Sequence, residues 1–183
     1  MNRGLTDGGR FWAKVLGAVV LICGLALGGA TAALAQDGIL PKPAGAVILT
    51  LKGNIKFTNT GDKAEFDLAM LEKLKGRVAP VKTPWADKET TYEGPLMSAI
   101  LDAVGATGTT LMVKAINDYV AEVPMEDMTR YPVILATKRD GKKMTVRDKG
   151  PLFIIYPFDL DPALQNEKIY NRSVWQVKEI TVN

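Results

Sequence analysis

Beyond residue 23 this chain contains no cysteine, and it contains no histidine anywhere. Whatever it folds into after that point must be held by side-chain packing and backbone hydrogen bonds, with no disulfide and no thiolate- or imidazole-bound metal to staple it. The same absences narrow the chemistry. There is no imidazole general base and no Ser–His or Cys–His nucleophile pair. Carboxylate, Lys or Tyr chemistry, a bound cofactor, or no chemistry at all remain.

Residues 1–35 read as a secretory signal peptide. Arg3, Arg10 and Lys14 form the positive region, Val15 to Ala30 the apolar run, and Ala33-Leu34-Ala35 the cleavage site, which places the cut before Gln36. The alternative is an uncleaved anchor, but the run is Gly- and Ala-rich and short for a span of about 20 residues. Cys23 sits inside the run after Val20-Leu21-Ile22, which is not a lipoprotein pattern. Cleavage removes the only Cys and takes the net charge from +3 to +1, leaving 20 basic against 19 acidic residues. The expected location is periplasmic or secreted. A chain so nearly neutral, with no basic block, is not expected to bind nucleic acid. It is not expected to stay at the membrane after cleavage. Its expected partner is a small-molecule ligand or another envelope protein. The remaining 148 residues suffice for a core, because a chain of about 150 residues buries roughly 70% of its unfolded surface.

Residues 36–46 read as an extended leader and 47–183 as a single domain. Val47 to Leu51 is strand-like, with Lys52-Gly53-Asn54 as a turn and Ile55 to Thr58 as the returning strand. Glu65 to Asp67 is short and extended. Leu68, Leu71 and Leu74 make a helical stripe that Gly76 ends. Arg77 to Pro84 is extended, and Pro80 suits an edge strand or an irregular segment. The clearest helix is Gly94 to Val104, with Pro95 at its first position and Gly105 in the left-handed C-terminal place. Thr109 to Ala115 and Tyr119 to Val123 are strands around Ile116-Asn117-Asp118. Pro124, Glu126 and Asp127 open a short helix. Val133 to Lys138 and Lys142 to Val146 flank Asp140-Gly141, a hairpin signal. Leu152 to Tyr156 is a buried strand, and Ser173 to Val182 closes the chain with strand-like alternation. The expected fold is α+β: a mixed, mostly antiparallel twisted sheet with two or three short helices.

Few residues point to chemistry. Glu126 and Asp127 are adjacent, so a helix turns them apart and suits them to its N-terminus. Asp159 and Asp161 around Pro162 read as turn chemistry and lack the ligand spacing of a calcium loop. Six cations fall within residues 138–149; they read as a solvated hairpin protecting a sheet edge or as an anion-attracting rim. Trp85 lies in a polar loop and Trp175 in the last strand. Tyr119 and Tyr156 each lie beside turn residues, placed either for the core or to present a hydroxyl to a cleft. No phosphate-binding glycine loop is present.

Four segments, in order over about residues 92–182, resemble the sulfite-oxidase-type molybdopterin-binding domain family, and in particular its small exported bacterial stand-alone members. They are Tyr92-Glu93-Gly94-Pro95-Leu96 with the helix ending Val104-Gly105-Ala106; Ala115-Ile116-Asn117-Asp118-Tyr119 with Val123-Pro124; Leu135-Ala136 through Asp140-Gly141 and Lys149-Gly150-Pro151-Leu152 to Tyr156-Pro157; and Val174-Trp175 running into the Ile180 strand. The resemblance implies a sulfite-oxidase-like fold and molybdopterin as the cofactor. In the family's enzymes a Cys thiolate binds molybdenum, and after cleavage this chain has none; no other side chain supplies a soft thiolate. Where the family typically has Arg after Pro-Leu, this chain has Phe153, and where it often has Lys before the Trp, it has Val174. The expectation is therefore a non-catalytic ligand- or partner-binding module, its cleft lined by Trp85, Asn117, Asp118, Tyr119, Arg172 and Trp175, with no catalytic and no metal-binding residue. One alternative is a molybdopterin-dependent oxidoreductase or cofactor-holding subunit, with Arg130, Arg147 or Arg172 on the phosphate. Another is an interaction protein without a cleft.

Overall fold

The computed structural model describes residues 40–183; the expected signal peptide and cleavage site lie outside the described residues. In chain order the strands are β1 (Val47–Gly53), β2 (Ala64–Asp67), β3 (Gly76–Val81), β4 (Thr90–Pro95), β5 (Thr110–Ala115), β6 (Val120–Pro124), β7 (Ile134–Ala136), β8 (Lys138–Arg139), β9 (Lys142–Lys143), β10 (Phe153–Ile155) and β11 (Val177–Val182). The α-helices are α1 (Leu68–Glu72), α2 (Met97–Ala103), α3 (Glu126–Arg130) and α4 (Glu167–Arg172). The fold is α+β, as expected, with four short α-helices among the described residues rather than two or three.

Three sheets carry these strands. The largest runs β2-β1-β11-β5-β6, a second β3-β4-β8-β9, and β7 pairs with β10. Only β1 and β11 are parallel, with Thr50 opposite Glu179 and Gly53 opposite Val182. Alternation sets the inward face: Leu111, Val113 and Ala115 of β5 are buried, as are Leu49 and Leu51 of β1. In β11 the register shifts between Val177 and Glu179. That bulge lets Val177 and Ile180, three residues apart, both point into the core. Pro80, which has no N–H to donate, lies in β3 at the edge of its sheet.

The local signals succeed where the chain's own neighbours decide. Gly105 has φ +58 and closes α2 in a Schellman arrangement: Ala106 N–H donates to Leu101 O at 3.0 Å and Gly105 N–H to Asp102 O at 3.0 Å. Other boundaries are corrected. Gly94 and Pro95 end β4 instead of starting α2, whose N-cap is Leu96. A Cβ on Gly94 would run into the carbonyl oxygen of Leu135, so this glycine admits the backbone of β7, a tertiary reason invisible in the local pattern. Ile55 to Thr58 is no strand. The N–H groups of Lys56 and Phe57 both donate to Val104 O, at 2.9 and 3.0 Å, and complete the end of α2. Gly76 opens β3; α1 has already ended, with Lys73 as its C-cap. The region of α4 has a single buried apolar side chain, Ile169, too little for a periodicity argument, although Asn166 is a capping residue whose Oδ1 accepts from Ile169 N–H at 3.1 Å.

Asp67 ties the leader to this frame. One carboxylate oxygen caps α1, accepting from Met70 N–H at 2.8 Å; the other accepts from Ala44 and Gly45 N–H, each at 2.8 Å. The N–H bonds from Gly45 and Met70 lower its pKa from the ordinary 3.8. A depressed carboxyl contributes stability above its unfolded pKa that disappears as the pH falls through its folded one. Asp67→Asn should therefore lower the melting temperature at pH 7 and weaken the loss of stability below about pH 4, measured by thermal melts from pH 2 to 7. An unchanged acid profile would count against this role. Among the described residues no helix is long and apolar enough to cross a membrane.

Candidate functional site

A cavity of about 300 Å³ opens between the β5–β6 turn and the segment leaving α4. The turn supplies Ala115, Asn117 and Tyr119; the other wall is Tyr170, Asn171 and Ser173 to Trp175. Local chemistry builds the first wall. Asp118 N–H donates to Ala115 O at 3.1 Å, Asp118 takes φ +65, and Ala115 N–H closes onto Tyr119 O at 2.9 Å. Asp tolerates this left-handed backbone better than most residues. Tyr119 N–H donates to Asn117 Oδ1 at 3.3 Å, and the phenol emerges half exposed. The two walls are joined directly, since Ile116 N–H donates to Gln176 O at 2.9 Å.

The second wall rests on an aromatic cluster. Phe153, fully buried, packs edge-on to Trp85 at 5.5 Å, Tyr92 at 5.7 Å and Trp175 at 6.1 Å between ring centroids. Trp85 also meets Tyr170 at 5.5 Å and Trp175 at 6.1 Å, again edge to face. Trp175 forms an isolated bridge with Phe153 ahead of β11 rather than lying inside that strand. It stands 36% exposed at the cavity.

Of the six residues expected to line a cleft, three come together there: Asn117, Tyr119 and Trp175. Trp85 lies behind the wall and supports Tyr170 and Trp175. Asp118 turns outward, where Lys178 and Lys114 hold its carboxylate at 3.0 and 3.1 Å and lower its pKa, Lys178 foremost. Arg172 is drawn away from the cavity because its Nη1 donates to Asp127 Oδ2 at 2.8 Å. Tyr156 is core, its hydroxyl donating to the same oxygen at 2.6 Å. Burial, with the neighbouring Asp127 carboxylate, pushes the Tyr156 hydroxyl far above its ordinary pKa. Asp127 thus does more than favour a helix start; it joins α3, the residue that follows β10 and the end of α4. Tyr170, Asn171 and Ser173 are wall residues that sequence reasoning missed. The Asn166 cap was the available signal for the helix that presents them.

The basic run divides. Lys138 is anchored by Glu93 at 3.0 Å and Glu72 at 3.3 Å. Asp148 and Thr145 form a capping box at 146–148. Lys149 reaches the other way, its Nζ 4.2 Å from the centre of the Trp175 ring. Lys142 and Lys143 remain exposed on the hairpin.

A molybdopterin asks for a soft metal ligand and cations for its phosphate. The cavity walls carry no cationic side chain. Phe153, where the family typically has Arg, has no exposed surface, and Val174, where it often has Lys, is 3% exposed. Arg172 is engaged by Asp127, and Arg130 stacks on Tyr131 at 5.2 Å. Among the described residues no group of His, Cys, Asp and Glu is placed to hold a metal. The residues that line the cavity do not fit the cofactor. No protein-family model matches this chain, and no curated protein matches it either.

Proposed function

We propose that this domain is a non-catalytic, exported ligand-binding module on a sulfite-oxidase-type scaffold, and that its binding site is the Tyr119–Tyr170–Trp175 cavity. One observation carries the reading. The walls combine three aromatic rings with the carboxamides of Asn117 and Asn171, and none of the lining side chains is a carboxylate, ammonium or guanidinium. Rings supply apolar contact area, and carboxamides supply oriented donors and acceptors. Such an apolar pocket with few convergent polar groups is a small-molecule site, and about 300 Å³ lies at the small end of the usual range. The charged pair beside it, Asp127 and Arg172, is closed on itself.

Indole is a suitable neutral ring probe. Titrating it into the exported form should shift the amide NMR signals of Asn117, Tyr119, Asn171 and Trp175. Tyr119→Ala should weaken binding at least fivefold with little change in stability, because Tyr119 is 49% exposed. Saturable shifts elsewhere would move the site. Stoichiometric molybdenum and pterin in protein purified from a molybdenum-replete native host would overturn the non-catalytic reading.

A further inference from the structure

The cavity is uncharged inside, but its rim is not. Lys149 lies over Trp175, one of the residues that line the cavity. Lys149 is held in place through its backbone: its carbonyl accepts from Gln176 N–H at 3.0 Å, and the Gln176 carboxamide donates to Val146 O at 2.9 Å. Gln176 directly follows Trp175, so residue 149 cannot drift from the ring. Among the described residues no carboxylate forms an ion pair with Lys149. Its contact is the face of a partly exposed indole, which leaves the ammonium able to take an anion as well.

The geometry points to a small aromatic carboxylate as the ligand class, its ring among Tyr119, Tyr170 and Trp175 and its carboxylate meeting Lys149 at the rim. This rests on the reading of the cavity as a binding site and adds the ligand's charge. An ammonium at the rim with no carboxylate partner favours an anion and disfavours a cation of similar shape, while an apolar floor favours a ring over an inorganic anion.

Three indole probes of similar size separate charge from shape: indole-3-acetate, its isostere indole-3-acetamide, and the cation tryptamine, titrated calorimetrically into the exported form at low and moderate salt. The acid should bind about tenfold tighter than the amide, and tryptamine weakest. The preference for the acid should shrink as salt rises. Lys149→Asn should weaken acid binding to the level of the amide and so abolish that preference, Asn being able to accept the φ of +70 at this position; Lys149→Arg should retain it. Equal binding of acid and amide, tighter binding of tryptamine, or a preference that survives in Lys149→Asn would overturn this inference and leave the cavity as a ring-binding site. Failure of all three probes to bind would overturn both.

Discussion

Asp127→Ala is expected to destabilise the domain by about 3–5 kcal/mol, the usual cost of removing one partner from a buried ion pair. The side chains of Arg172 and Asp127 are only 15% and 12% exposed. Both Arg172 Nη1 and the Tyr156 hydroxyl donate to the same carboxylate oxygen. Alanine would strand a guanidinium and a phenol together. Tyr156→Phe removes one bond to a charged acceptor and should cost less, about 1.5–3 kcal/mol. Urea denaturation measures both. A loss below about 1 kcal/mol for Asp127→Ala would mean that water or another group replaces the carboxylate. The consequence reaches the cavity. The pair bridges 45 residues and fixes the end of α4, from which Tyr170, Asn171 and Ser173 reach the wall. Asp127→Asn, which keeps the shape but loses the charge, should weaken indole binding even where the protein stays folded.

Phe153→Ala should cost a similar amount, about 3–5 kcal/mol, by opening a cavity at the hub of the aromatic cluster. Phe153 is fully buried and touches Trp85, Tyr92 and Trp175 edge-on. Trp175→Ala should be milder, because Trp175 keeps 36% of its surface exposed, yet it should remove ring binding. The pair of variants therefore separates the support of the wall from the wall itself. Guanidinium denaturation of Phe153→Ala that shows less than about 1.5 kcal/mol would place the cluster outside the cooperative core. Phe153→Arg should fail to fold, since the charge would enter an aromatic cluster with no partner.

Elements governed by near neighbours were legible in advance. The Asp140-Gly141 hairpin, the Gly105 helix end, the edge strand at Pro80 and the β5–β6 hairpin all follow from turn residues and alternation acting over a few positions. Two of the six residues expected to line a cleft, Asn117 and Tyr119, were legible for the same reason: they sit at a turn whose backbone chemistry presents them. Arg172 and Asp118 look like ligand contacts in one dimension, because a sequence displays a charge without its partner. The fold assigns those partners, Asp127 to one and Lys114 with Lys178 to the other.

The sequence alone determined the α+β class, the turns, and the absence of His throughout and of Cys beyond residue 23. These depend on residue identity and local backbone preference. Only the tertiary structure decided that Gly94 belongs to a strand pressed against Leu135, that Asp127 meets Arg172 and Tyr156, and that the exit of α4 faces the β5–β6 turn across a cavity. Those outcomes depend on contacts between distant segments, which form only when burying many apolar faces at once repays the entropy of closing long loops.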